Sequence, residues 1–220
     1  MTERQIVACG GYALGSPLQQ YILGLARGTR VCFVGTASGD DAASIVGVYE
    51  RLNGEAQVSH LKFFPWPPED LRGFALSHDV IYVGGGNTAN MLAIWRVHGF
   101  DDVLREAWEN GIVLAGSSAG MICWFEAGVT DSFGPQLEGM RDGLGLLRGS
   151  ACPHYDGEER RRPRYRELVD GGFPPGYAAD DGVALHFVGD ELREVVTDRE
   201  GATAYRVEPG SETPLEARTL

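Results

Sequence analysis

Gly111-Ile112-Val113-Leu114-Ala115-Gly116-Ser117-Ser118-Ala119-Gly120 decides how this chain is read. The apolar run Ile112–Ala115 has β character and ends in small residues, and centred on Ser118 the ending spells G-x-S-x-G. That is the spacing of a nucleophile elbow, in which a serine sits at a sharp strand-to-helix turn. Such a turn strains the backbone, so its neighbours must be small. Gly116 and Gly120 supply the room, and Ala119 leaves its N–H clear for a developing oxyanion. Met121–Glu126 reads as the start of a helix whose positive end points at the serine. The competing reading is a tight βα turn without chemistry; the flanking strand and helix patterns favour the elbow.

Working outward, strand–loop–helix units repeat on the N-terminal side. Gln5–Gly11 is a short apolar run closed by Gly-Gly. Ser16–Ala26 has helical spacing, with Ser16 as N-cap and Pro17 in the first turn. Arg30–Gly35 is a continuous apolar strand, as in the middle of a parallel sheet. Asp41–Leu52 reads as a helix, Val58–Phe64 and Asp79–Val83 as strands, and Ala89–Arg96 and Asp101–Glu109 as helices. The pattern predicts a doubly wound α/β fold, its mostly parallel sheet flanked by helices. Functional loops then lie at the C-terminal ends of the strands, where Gly84–Thr88 and Gly116–Gly120 both fall. Ala127–Gly149 reads as loop-rich. Val183–Val188, Leu192–Thr197 and Ala202–Val207 read as a small antiparallel C-terminal portion. Residues 1–208 form one hydrolytic domain on this reading, and 209–220 a polar tail that is partly loose.

The 220 residues carry 31 acidic against 19 basic side chains, a net charge of -12. This argues against a nucleic-acid surface, which needs a basic stripe. Cys9, Cys32, Cys123 and Cys152 show no C-x-x-C spacing and read as buried free thiols in a reducing compartment. No secretory signal and no membrane-length apolar run stands out, so a cytoplasmic protein without a membrane partner is expected.

A serine nucleophile needs a base, and the base an orienting acid. Of the five histidines, His60 and His78 precede strands or loops, His98 ends a helix and His186 lies within a strand. His154, in Ser150-Ala151-Cys152-Pro153-His154-Tyr155-Asp156, sits on a loop just after a strand and can approach the elbow. Asp131, in a loop beyond the elbow helix, is the preferred acid because a loop adapts to an imidazole; Glu126, two helical turns past the serine, stays open. Asp156 reads as a local loop or substrate contact. The glycines of Gly84–Thr88 can aim backbone N–H groups at an anion and complete an oxyanion hole with Ala119. Asn87 of that loop is a candidate substrate contact. A phosphate-binding role fits poorly, since neither G-x-G-x-x-G nor a P-loop is present. No metal-binding motif appears, and neither metal nor cofactor is expected.

Three stretches in order, Tyr82–Thr88, Ala115–Gly120 and Cys152–Tyr155, resemble the peptidase E (aspartyl dipeptidase) family of serine peptidases, with cyanophycinase a more distant relative. The similarity runs through most of residues 5–190. The resemblance implies a fold like that of class I glutamine amidotransferases, whose elbow carries cysteine. It implies Ser118 as nucleophile, His154 as general base, and Gly85, Gly86 and Ala119 as the oxyanion hole. Its acid, an aspartate after the elbow helix, matches Asp131, and the glutamate of some relatives keeps Glu126 open. The implied substrate is a short peptide such as a dipeptide with N-terminal Asp. Trp124–Glu126 and Asp156–Arg164 depart from the aspartyl dipeptidase pattern, which bears on substrate. An acidic acyl side chain calls for a cation, with Arg160, Arg162 and Arg164 as candidates. An amidase or esterase on the same scaffold and a non-catalytic binding protein are the alternatives. Pairing among acidic relatives points to a homodimer.

Overall fold

The computed structural model describes residues 3–220. Its elements are β1 (Gln5–Cys9), α1 (Pro17–Leu25), β2 (Arg30–Val34), α2 (Ala42–Arg51), β3 (Gln57–Leu61), α3 (Leu71–Leu76), β4 (Val80–Val83), α4 (Thr88–His98), α5 (Phe100–Glu109) and β5 (Val113–Ser117). Then come α6 (Ala119–Ile122), β6 (Phe125–Thr130), β7 (Glu138–Met140), β8 (Leu147–Cys152), α7 (Arg161–Asp170) and β9 (Gly176–Ala179). The chain ends with β10 (Val183–Val188), β11 (Glu191–Thr197), β12 (Ala204–Glu208), β13 (Ser211–Pro214) and β14 (Ala217–Thr219).

Eight strands form the main sheet in the order β14-β11-β10-β1-β5-β4-β2-β3. From β1 to β3 the pairs are parallel, and β10 joins β1 antiparallel. Strand alternation builds both faces. Val7, Cys9, Val31, Phe33, Tyr82 and Ala115 point to one side, where Leu18 and Ile22 of α1 and Val48 of α2 cover them. Ile6, Ala8, Cys32, Val34, Ile81 and Leu114 point to the other, against Met91, Leu92 and Trp95 of α4 and Leu104 of α5. The helices start where the sequence provides a cap: the side chains of Ser16, Asp41 and Asn87 each accept an N–H of the first turn of α1, α2 and α4. The expected α/β fold, with a mostly parallel sheet between helices, is therefore found.

The second half departs from its reading. Ala127–Gly149, expected to be loop-rich, contributes to a six-stranded sheet ordered β13-β12-β9-β8-β6-β7. α7 packs on this sheet through Tyr165 and Val169. Residues 209–220, expected to be a partly loose polar tail, are built into both sheets: β13 pairs with β12 and β14 with β11. The helix after the elbow is one turn, α6, and the chain re-enters a strand at Phe125. Glu126 therefore lies on β6, not on a helix. Among the described residues no helix is long and apolar enough to cross a membrane.

Candidate active site

The elbow is as strained as its sequence implies. Ser118 has φ 58° and ψ −112°, a conformation that costs a non-glycine residue about 1–3 kcal/mol and needs surroundings that hold it. Close packing provides the hold. A Cβ on Gly116 would lie 2.7 Å from the Val83 carbonyl oxygen, and one on Gly120 only 2.2 Å from it. The Ser118 N–H donates to the Cys9 carbonyl at 3.2 Å, and the Ser118 carbonyl accepts from the N–H groups of Met121 and Ile122. Beside it Ser117 accepts from the Tyr82 hydroxyl at 3.0 Å.

His154 follows β8 and also has a positive φ, 52°. Its N–H donates to the Gly10 carbonyl at 3.0 Å. Nδ1 lies 2.6 Å from Oδ1 of Asp181, in the turn between β9 and β10. The carboxylate on this imidazole is thus Asp181, where the sequence led to Asp131 or Glu126. Both expected acids are placed elsewhere for identifiable reasons. Asp131 belongs to a loop tied to the start of α4, through the Asn87 Nδ2 to Ser132 carbonyl bond and the Ala89 N–H to Ser132 Oγ bond. Glu126 faces β8 and accepts the Gly149 N–H at 2.8 Å.

Three consecutive residues at the end of β1 meet the three residues in turn: the Cys9 carbonyl accepts the Ser118 N–H, the Gly10 carbonyl accepts the His154 N–H, and Gly11 lies against the Asp181 carboxylate. The register explains this. Cys9 pairs with Ser117 on one side and with Ala184 on the other, so the elbow and the turn before β10 flank one strand end. A Cβ on Gly11 would come within 2.1 Å of Asp181 Oδ1, and one on Gly157 within 2.3 Å of Oδ2. The Gly-Gly ending of the first strand was the available sequence signal, since only glycine allows so close an approach. Cys9 is itself inert: burial first, and then the charge of Asp198, push its thiol up to about 12. All four cysteines are buried and unpaired, as expected.

Ser118 and His154 share a cleft of about 550 Å3 with Gly84, Gly85, Ser117 and Tyr82. Gly85 packs closely: a Cβ there would sit 3.2 Å from the Ser118 Cβ. Among the described residues, the N–H groups of Gly85 and Ala119 have no backbone acceptor outside regular elements. Gly86, at φ 135°, instead packs against the Ala37 carbonyl, where a Cβ would come within 2.2 Å, and is not part of the cleft wall. Asn87 is spent as the cap of α4, accepting from the Asn90 N–H, and as the anchor of Ser132.

The three expected arginines are also engaged elsewhere. Arg160 donates to the Pro135 carbonyl and Arg164 to that of Leu137, and both line a separate groove with Glu138 and Glu167. Arg162 pairs with Glu212 and stacks over Tyr155 and Tyr205. They start or sit in α7, which packs on the second sheet away from the elbow. The cleft has its own cation, which the sequence reading missed. Arg51, at the end of α2, is the one Lys or Arg on its wall, and among the described residues it forms no ion pair. Its side chain runs back over the preceding turn, as helical side chains do. A Cβ on Gly47 would lie 2.8 Å from its Nη1, so glycine leaves the guanidinium its space. Burial first, and then the charge of Cys9, raise the Tyr82 hydroxyl above the ordinary tyrosine range, with the Ser117 hydrogen bond and the Arg51 charge working the other way.

A strained serine after a parallel strand, sharing a cleft with a carboxylate-held histidine, defines an α/β protein of hydrolytic type. A family model described as peptidase family S51 matches residues 11–195, and the chain belongs to that family. It is 51% identical over 213 residues to the uncharacterized peptidase YgaJ of Bacillus subtilis (strain 168), covering 93% of this chain and 92% of that one. Its fold matches the crystal structure of a peptidase from an acI-B1 Actinobacterium, with TM-score 0.68, 15% identity, and coverage of 98% of this chain and 95% of that one. It also matches a Listeria monocytogenes EGD-e protein described as a candidate peptidase E, with TM-score 0.66, 20% identity, and coverage of 90% and 99%. The protein is accordingly a hydrolase of the peptidase class.

Proposed function

We propose that the protein is a serine peptidase that cleaves short peptides through Ser118, His154 and Asp181. The observation that carries this reading is the pairing of a strained elbow serine with a histidine of the same cleft whose Nδ1 is held by a carboxylate. With Nδ1–H directed at Asp181, Nε2 is the nitrogen left to accept the Ser118 proton. Ser118 Oγ attacks the peptide carbonyl carbon, and the proton moves to Nε2. The N–H groups of Gly85 and Ala119 receive the anionic oxygen. The C–N bond then breaks as His154 returns the proton to the departing amine. Water, deprotonated by the same imidazole, attacks the acyl-enzyme and releases the acid.

The substrate reading rests on Arg51. Peptides whose acyl residue carries a carboxylate, N-terminal Asp first among them, match an unpaired guanidinium on the cleft wall. The test is hydrolysis of Asp, Glu, Leu and Ala amides by wild type, Ser118→Ala and Arg51→Met. Expected are turnover of the acidic amides, loss of activity by roughly 10⁴-fold or more in Ser118→Ala, and loss of acidic preference in Arg51→Met. Cleavage of esters but not amides would replace the peptidase by an esterase. Activity that survives Ser118→Ala would overturn the nucleophile, and silence of the wild type on amides and esters alike would favour a binding protein.

A further inference from the structure

Asp181 is held at both ends. Its carboxylate lies against Gly11 and Gly157, and its N–H donates to Oδ1 of Asp156 at 2.9 Å. Oδ2 of Asp156 pairs with the Arg199 guanidinium, which follows β11. The Arg199 backbone is fixed in turn, its N–H donating to Thr197 Oγ1 at 3.1 Å and its carbonyl accepting from the same hydroxyl. Burial works against the charge of Asp156, but the Arg199 hydrogen bond and the Asp181 amide outweigh it and hold the carboxyl below its ordinary value. Arg199 also faces the charges of Asp180 and Asp181, so one cation offsets three carboxylates. Asp180 itself turns away and accepts the Thr203 N–H at 3.0 Å.

We infer that Asp156, clamped by Arg199, is a positioning residue that sets the Asp181 carboxylate on His154. It touches neither Ser118 nor the cleft wall and acts through the Asp181 backbone. The inference rests on the Ser118–His154–Asp181 reading and adds a fourth and a fifth residue to it. Its effect belongs in the rate constant rather than in binding, because misplacing a reacting group by 1 Å costs on the order of 10²-fold in rate.

The experiment measures phosphonylation of Ser118 by a fluorophosphonate probe, which needs no knowledge of the natural substrate. It is combined with proton NMR of the His154 Nδ1–H in the full-length protein. Asp156→Ala is expected to slow the maximal labelling rate about 10²-fold with little change in probe affinity, and to remove the downfield Nδ1–H signal. Asp156→Asn keeps an oxygen that can accept the Asp181 N–H and is expected to recover most of both. Arg199→Met leaves the Asp156 hydrogen bond in place and is expected to fall between the two; it also serves if Asp156→Ala does not fold. Wild-type labelling and an intact signal in Asp156→Ala, or in Arg199→Met where it replaces it, would overturn the inference. A variant that is merely less stable, with normal labelling per folded molecule, would do the same. Asp181→Ala separates the two levels: if it labels at the wild-type rate, the underlying reading fails, whereas if it is slow and Asp156→Ala is not, only the positioning role fails.

Discussion

Gly157→Ala offers a severe test of the Asp181 assignment, because the added methyl touches the carboxylate and not the cleft. A Cβ at residue 157 would stand 2.3 Å from Asp181 Oδ2 and 3.1 Å from Cγ, well inside ordinary contact at 3.4 Å. The carboxylate must retreat by roughly 1 Å, and Gly11 closes the other side, since a Cβ there would already overlap Oδ1. The 2.6 Å bond to His154 Nδ1 then stretches toward or beyond the hydrogen-bond limit. Spoiling the carboxylate's role in a serine triad entirely costs about 10⁴-fold in kcat, and partial misplacement about 10²-fold. At about 1.4 kcal/mol per decade this is roughly 3–5 kcal/mol of barrier. Overpacking separately costs about 1–3 kcal/mol of stability. The assay is fluorophosphonate labelling and amide hydrolysis per folded molecule, with thermal unfolding measured alongside. Gly157→Ala is expected to fall between wild type and Asp181→Ala in rate while KM holds. A Gly157→Ala enzyme that is destabilised yet chemically unimpaired, beside an inactive Asp181→Ala, would refute the claim that this packing sets the His154–Asp181 pair.

Arg51→Met should lower the preference for an Asp over an Ala amide by about 10–100-fold, the worth of one hydrogen bond to a charged group, with the Ala amide unaffected; an unchanged preference moves the cation elsewhere. Asn87→Ala removes the cap of α4 and the anchor of Ser132, so about 1 kcal/mol of stability and 2–4 °C of Tm should go without any change in acyl selectivity. His186 is buried, and that burial, opposed by Glu194 and Glu3, holds its pKa below 6.5. Below that pH the unfolded chain takes up a proton that the folded chain refuses, so the contribution is present above about pH 6.5 and lost as pH falls. Tm measured between pH 7.5 and 5.5 should therefore drop more steeply in wild type than in His186→Gln, and equal slopes would exclude this histidine as the source.

What the sequence revealed divides along contact range. The elbow was readable because a strained serine imposes small neighbours within five consecutive residues, and α1, α2 and α4 because their caps are adjacent to them. The carboxylate was not readable. Asp181 lies 27 residues from His154, in a turn with no feature of its own, and meets it only because two sheets join there. Arg51 likewise reads as an ordinary polar residue ending a surface helix, and only the packing of α2 against β2 and β4 puts it on the wall of the cleft that holds the serine. Arg160, Arg162 and Arg164 misled for the converse reason: a local cluster of charge is conspicuous, but here it builds a helix packed on the second sheet. Of that sheet, β6 and β7 were not legible because they are six and three residues long and mix polar with apolar side chains.

The position of Asp181 follows from the direction of β10. Every strand from β1 to β3 ends at the edge that carries Gly84, Ser118 and the first turn of α2, while β10, antiparallel to β1, begins there. Gly10 N–H donates to the Val183 carbonyl, so the residue two positions before Val183 must fall beside Gly11. That residue is Asp181, and the preceding strand, β9, belongs to the other sheet. His154 also arrives from the other sheet, at the end of β8, which pairs in parallel with β9. His154 and its carboxylate partner thus leave neighbouring strands of the second sheet and converge on the end of β1, while Ser118 comes from the first. A parallel sheet alone, whose strands each supply one loop to the edge, would leave this serine without its histidine. The second sheet, with its short strands, contributes the histidine–carboxylate half of the candidate site.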